Sequence, residues 1–162
     1  MNRVIASLVV AAGIVASSAV SAETIKIPDA SVEVWYPEHW NVEKSNGIVT
    51  ITDPNEEAAL TFLTIPGEKL DEAMNALDQQ IAKMATDVAV TGKPQTTQIN
   101  GMKVVVVDAK GKVKGKPCEI SAALVLRPNK KLMLMFGIVE SAKMKKHEAN
   151  LQRVVASLKP TK

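Results

Sequence analysis

Three runs of consecutive apolar residues constrain the fold of this 162-residue chain more than any other feature. They are VVVV at residues 104–107, AALVL at 122–126 and LMLMFGIV at 132–139. A strand that is apolar at successive positions needs cover on both faces, whereas a half-exposed strand alternates apolar and polar residues. Turn signals lie beside the runs, at Asn100-Gly101 and Pro128-Asn129. The runs therefore predict the centre of an antiparallel sheet that lies between two layers.

The rest of the chain supplies those layers. A helix is predicted from about Glu68 to Asp87, because apolar residues recur there at three- and four-residue steps: Leu70, Met74, Leu77, Ile81, Met84 and Val88. A second helix is predicted from Ser141, as its N-cap, to Leu158. The earlier strands alternate more and are predicted at 24–27, 31–36, 47–52 and 58–65. The predicted fold class is α+β, with a mainly antiparallel sheet in an α/β/α sandwich that has one helix on each face.

The first 22 residues have the pattern of a secretory signal peptide. Arg3 gives a short positive start, Val4–Val15 is almost wholly apolar, and Val20-Ser21-Ala22 offers the small residues that a signal peptidase requires. The alternative is an uncleaved membrane anchor, but the apolar run is shorter than the ~20 residues that span a bilayer. We therefore expect cleavage after Ala22, a single domain over residues 23–162, no transmembrane segment in the mature protein, and a periplasmic location.

Composition narrows the function without identifying it. The formal net charge of +3 is too balanced to predict nucleic-acid binding. Cys118 is the only cysteine, so an internal disulfide is excluded, and its place at the start of an apolar run predicts a small buried hydrophobe. The only histidines are His39 and His147, and neither stands in a metal-ligand or catalytic spacing. We therefore predict no catalytic residue, no metal, no cofactor and no enzymatic activity.

The segment SVEVWYPEHWNV, residues 31–42, concentrates aromatic residues. Side chains alternate along the predicted strand, so those of Val32, Val34 and Tyr36 are predicted to face the core. Trp35 and Glu33 then face the other way, and Trp35 becomes a candidate contact surface. Pro37 ends the strand, so Trp40 is predicted to fold back onto the sheet as a structural plug.

The order of these segments resembles a known superfamily. A YPEHW corner after an early strand, then GIVTITDP, a strand, a helix, four strands and a last helix ending in VVASLKP look like the Mog1/PsbP-like superfamily, nearest to its bacterial DcrB-like exported proteins. The resemblance covers residues 25–158. It implies an α/β/α sandwich and a role in binding or assembly instead of catalysis. It places no functional residue on this chain.

A second candidate contact surface is the segment KGKVKGK, whose lysines are Lys110, Lys112, Lys114 and Lys116. They are interpreted either as a solvated hairpin that discourages edge-to-edge aggregation or as a positive finger for an acidic protein or an anionic membrane surface. Basic residues in the first turn of the last helix oppose its dipole and favour the second interpretation modestly: Lys143, Lys145 and Lys146.

Two functional hypotheses follow. The first is a non-enzymatic exported binding or assembly factor that acts through protein or envelope contacts, with an unknown protein partner or an anionic membrane surface. The alternative is a small-ligand-binding protein or a hydrolase that uses His39 and nearby carboxylates. A deep pocket joining His39 to a carboxylate and to Trp35 would favour the alternative.

Overall fold

A computed structural model describes residues 22–27, 30–65, 70–127 and 131–161. The predicted signal peptide therefore lies outside the described residues, apart from Ala22, which begins the first strand. The described strands, in chain order, are β1 (Ala22–Ile27), β2 (Val32–Pro37), β3 (Asn41–Ser45), β4 (Ile48–Thr52), β5 (Ala58–Ile65), β6 (Thr86–Val90), β7 (Gln95–Ile99), β8 (Met102–Val113), β9 (Lys116–Leu126), β10 (Leu132–Glu140) and β11 (Lys159–Pro160). Helix α1 spans Leu70–Met84, and helix α2 spans Met144–Ala156 after a 3-10 turn at Ser141–Lys143.

The three apolar runs lie side by side, as predicted. The main sheet has the order β3-β4-β5-β10-β9-β8-β6, and β7 also pairs with β8. All of its pairings are antiparallel. A second, small antiparallel sheet has the order β1-β2-β11. Strands β10 and β9 therefore have a neighbour on each edge and a layer on each face, which is why they are apolar at successive positions.

Strand β10 shows how the two faces divide. Leu134 and Phe136 pack with Leu77 of α1 in one core. Met133 and Met135 alternate with them and pack with Leu151 of α2 in the other core, which also contains the small sheet. The prediction of a mainly antiparallel α+β sandwich with one helix on each face is confirmed, and the small sheet shares a face with α2.

Three predicted boundaries are wrong. Helix α1 ends at Met84 instead of Asp87, because Thr86–Val90 forms strand β6. Strands β8 and β9, predicted from the sequence at 102–109 and 119–126, instead extend through the lysine segment and leave only Lys114-Gly115 as the turn of the hairpin, with φ of +50° and +78°. Ser141 is not the N-cap of α2; it begins the 3-10 turn, and its hydroxyl donates to Glu119 Oε1 at 3.3 Å.

Candidate functional site

The aromatic corner locks the fold at Trp40. The backbone N–H of Trp40 donates to the carbonyl oxygen of Pro37 at 2.9 Å, which turns the chain back after β2. The indole is buried in the core that contains the small sheet and α2. The interpretation of Trp40 as a structural plug agrees with this burial. His39 is exposed within the same turn, as is its neighbour Glu38, whereas Trp35 is buried.

The prediction that Trp35 is an exposed contact residue is wrong. Its side chain does point away from that of Val34, but α2 covers it, and only 8 % of the residue is accessible. The guanidinium carbon of Arg153 lies 4.1 Å from the centre of the indole ring, in a cation–π contact. The backbone N–H of Trp35 also donates to Ser157 Oγ at 2.8 Å. Trp35 therefore fixes α2 to the small sheet.

The histidine that sequence reasoning passed over, His147, lies at the centre of a polar cluster. It is 2 % exposed and projects from α2 toward the turn between β4 and β5. Its Nε2 lies 3.0 Å from Glu57 Oε2 and 3.9 Å from Asp53 Oδ2. Because a carboxylate only accepts, Nε2 carries the proton and donates to Glu57. The His147 ring also meets Trp40 edge to face, with ring centres 5.9 Å apart.

Two lysines complete this cluster: Lys143, which ends the 3-10 turn, and Lys146, which lies in the first turn of α2. Lys143 Nζ lies 3.2 Å from Glu57 Oε1, and the ammonium group of Lys146 donates to Oε2. The hydrogen bonds from Lys146 and His147 lower the pKa of the Glu57 carboxyl from 4.5 to about 2. Lys143 and Lys146 thus have a partner within the fold, the Glu57 carboxylate, which the sequence analysis did not foresee. We call Glu57, His147, Lys143 and Lys146 the α2 latch.

Together with Asp53, the α2 latch has the donor atoms of a metal site, but the charges around these atoms do not suit a cation. Ligand atoms of Asp53, Glu57 and His147 all lie within 4.8 Å of one another, and this donor set suits zinc. However, both oxygens of Glu57 already face ammonium groups, which would repel a cation. Asp53 Oδ2 also accepts from the backbone N–H of Asn55 at 3.0 Å. The arrangement is therefore suited to holding α2 against the β4–β5 turn.

The lysine segment forms the end of the β8–β9 hairpin, and each of its four lysines is paired with a carboxylate. The pairs are Lys110–Glu119 at 3.3 Å, Lys112–Asp87 at 2.9 Å, Lys114–Glu56 at 2.9 Å and Lys116–Glu140 at 3.0 Å. Exposed pairs of this kind add little stability. They do place an equal number of negative charges beside the lysines, which weakens the field of a positive finger. A contact role for these lysines stays a prediction.

An apolar groove lies on the opposite face of the sheet from α2. Its walls are α1, through Met74 and Ile81, and β6, through Val88 and Val90; its floor includes Ile120 of the sheet. The volume is about 470 Å³, within the ~300–1,000 Å³ that is typical of ligand sites. We call it the α1–β6 groove.

Exposed apolar side chains concentrate at this groove. The large hydrophobic residues that are exposed in the described part of the chain are Met74 (40 %), Val88 (39 %), Val90 (66 %) and Leu126 (40 %). All of them except Leu126 line the groove. Scattered exposed hydrophobic residues are ordinary on a protein surface, but a cluster of them around a concavity marks a binding surface.

Among the described residues that line the groove, the polar ones are Asp78 of α1 and Asp87 of β6, and the others are apolar. Asp78 is exposed, and Asp87 forms an exposed ion pair with Lys112 of β8. The groove therefore combines an apolar interior with an acidic rim. The described polar side chains of the groove are two carboxylates set beside a large apolar surface.

Comparisons with known proteins bear on the fold. Neither the sequence models of protein families nor the sequences of curated proteins match this chain. Among solved structures, cyanobacterial PsbP (CyanoP) from Synechocystis superposes with a TM-score of 0.62 at 13 % identity, over 91 % of this chain and 96 % of that one. A Pseudomonas aeruginosa protein of unknown function, PA94, described as a putative regulator, superposes with a TM-score of 0.54 at 14 % identity, over 87 % and 98 %.

A third solved structure is LpqN of Mycobacterium tuberculosis, described as involved in cell envelope biogenesis. Its TM-score is 0.55 at 10 % identity, over 88 % of this chain and 86 % of that one. Likeness at such low identity establishes the fold, which is therefore Mog1/PsbP-like, as the sequence resemblance predicted. The closer relation to DcrB-like proteins stays a prediction. Neither described helix is both long and apolar enough to cross a membrane.

Proposed function

We propose that this protein is a non-enzymatic exported binding or assembly factor, and that it receives an apolar segment of a partner protein in the α1–β6 groove. The observation that carries the proposal is the clustering of Met74, Val88 and Val90 around one concave surface. Burying such side chains against a partner removes apolar area from water, at roughly 25 cal/mol per Å².

The neighbouring folds support an accessory role. CyanoP is a cyanobacterial PsbP, and LpqN is described as involved in cell envelope biogenesis. The hydrolase alternative has less support, because His39 and Glu38 are both exposed in an open turn. Export is supported by the residues Val20-Ser21-Ala22. Intact-mass analysis of protein from an exporting host is expected to give Glu23 as the first residue; retention of residues 1–22 would refute cleavage.

Site-specific photo-cross-linking tests the groove. A photoreactive amino acid replaces Val90 in one variant, Met74 in a second, and Leu126 in a third, each in the full chain. Leu126 is the matched control, because it is a comparably exposed hydrophobic residue outside the groove. We expect the same partner to be linked from Val90 and Met74 and to be absent from the Leu126 variant. Peptide mapping then identifies the segment of the partner that enters the groove.

Binding of the purified partner supplies the decisive measurement. Val90→Asp places a carboxylate in the groove and is expected to weaken binding at least tenfold, whereas Leu126→Asp is expected to change it little. Equal weakening by both substitutions, or by neither, would refute the groove. Loss of affinity in the variant with all four hairpin lysines replaced by Gln, with Val90→Asp unaffected, would assign the contact to Lys110, Lys112, Lys114 and Lys116.

Two other occupants are distinguishable in the same experiments. The volume of about 470 Å³ also suits a small apolar molecule, which would appear by mass spectrometry as a non-covalent adduct lost on Val90→Asp. A cross-link from Val90 to residues 1–21 of the same chain would identify the protein's own apolar N-terminal segment as the occupant. Either outcome replaces the partner protein in the proposal.

A further inference from the structure

The acidic rim of the α1–β6 groove indicates what kind of segment the groove receives, on the premise of the proposed function. We infer that the occupant is an amphipathic helix whose apolar face enters the groove and which carries a lysine or arginine that meets Asp78. Three observations of the groove carry this inference: the charge of its rim, the pairing of Asp87, and the irregular edge of β6.

The rim favours a basic residue because both polar lining residues are acidic. Asp87 already pairs with Lys112 at 2.9 Å, which leaves the exposed carboxylate of Asp78 as the charge without an ion-pair partner among the described residues that line the groove. An incoming ammonium or guanidinium group next to Asp78 would gain a Coulomb attraction, whereas an incoming carboxylate would be repelled. The same charge favours a basic segment over an acidic one at this rim.

The edge of β6 favours a helix over an added strand. Strand addition requires a regular row of free backbone N–H and C=O groups. In β6 the register with β8 shifts between Thr86 and Ala89, and Asp87 has a φ of +54°. Such a bulge twists an edge and protects it from pairing with another strand. A helix needs no backbone partner, and it can place side chains at i, i+3, i+4 and i+7 between α1 and β6.

Three labelled peptides test this inference against the purified full chain by fluorescence anisotropy. Each peptide is end-capped and carries leucines at i, i+3, i+4 and i+7; a single flanking position is Lys, Gln or Glu. The Lys peptide is expected to bind about twofold to fivefold more tightly than the Gln peptide, as an exposed ion pair allows, and the Glu peptide more weakly. The difference is expected to shrink from ~0.01 M to ~0.15 M ionic strength.

Two aspartate variants locate the effect. Asp78→Asn is expected to remove most of the preference for Lys and to leave the affinity of the Gln peptide unchanged. Asp71→Asn is the matched control, because Asp71 is also exposed on α1 but does not line the groove. It should leave the preference intact. Thermal melts are expected to show that both variants fold, because both residues are exposed.

The outcomes separate the inference from the function on which it rests. Equal binding of all three peptides, sensitive to Val90→Asp, would overturn the role of Asp78 and leave the groove as the binding site. A preference for Lys that persists in Asp78→Asn would also overturn it. If no peptide binds in a manner sensitive to Val90→Asp, the helical occupant and the groove are both refuted.

Discussion

Replacing Trp40 by Ala should cost this domain a large part of its stability. The side chain is 7 % exposed, packs in the core that joins the small sheet to α2, and meets the ring of His147 edge to face. A buried tryptophan removes about 150–250 Å² from water. At ~25 cal/mol per Å², this burial contributes roughly 4–6 kcal/mol.

The expected loss is somewhat smaller than that transfer energy, because the unfolded chain already buries part of the ring. We expect about 3–5 kcal/mol, the range observed for Phe and Trp truncations in protein cores. Domains of this size have roughly 5–15 kcal/mol in total, so the variant should remain folded but only marginally stable.

Urea denaturation followed by fluorescence provides the measurement. Trp35 remains in the variant as the reporter, and its contact with Arg153 should be lost on unfolding. Trp40→Phe is the control, because it keeps a ring against His147 and should lose clearly less stability. Unchanged m-values would show that the native states are comparably compact. A loss below ~1 kcal/mol would mean that the ring contributes little to packing and would refute the assignment of this corner as structural.

Two further perturbations test the latch and the sheet. Glu57→Gln should destabilise the protein near neutral pH, and the difference from wild type should narrow as pH falls from 4.5 to about 2. The folded pKa of Glu57 is lowered, so its contribution is complete above the unfolded value and is lost as the carboxyl is protonated; a difference independent of pH over that interval, in urea midpoints, would contradict this. Gly111→Ala should cost about 1–3 kcal/mol, because an added Cβ would lie 3.0 Å from Ile120 and 3.1 Å from the carbonyl oxygen of Thr86. Gly92→Ala is the control, since its Cβ would meet nothing within 4 Å, and equal melting temperatures for the two variants would contradict the crowding.

The sheet could be predicted from the sequence because its central strands are covered on both faces. Continuous apolar runs of this length, bounded by turn residues, are typical of strands that are buried on both sides, and the turn residues between them are chemically specific. Trp40 was predictable for a similar reason, since Pro37 ends the strand and leaves a large aromatic ring that must be buried nearby. The predictions of the central strands and of Trp40 depend on residues that lie close to one another in the sequence.

Strand β6 was missed because one of its residues fits two patterns. Val88 continues the spacing of the apolar stripe of α1, which extended the predicted helix to Asp87. The β-branched residues Thr86, Val88 and Val90 also alternate, which is the pattern of a short strand. Since β6 forms one wall of the groove, the missed strand also concealed the candidate binding site. The prediction for Trp35 failed for a different reason. Strand alternation gave the direction of its side chain correctly, but only the tertiary structure shows that α2 covers it.

The lysines at the start of α2 show that the helix-dipole rule, applied to neighbouring residues alone, misses a charge supplied by a distant part of the chain. Basic residues there oppose the helix dipole, and the helix has no acidic residue in its first turn and no side-chain cap. The compensating charge comes from Glu57, which precedes Lys146 by 89 residues and lies beside the same end of the helix. Its carboxylate occupies the place that an acidic first-turn residue would fill, and the lysines hold it there. A helix start that lacks both a cap and a local acid therefore predicts an acidic residue from elsewhere in the chain, and in this protein the β4–β5 turn supplies it.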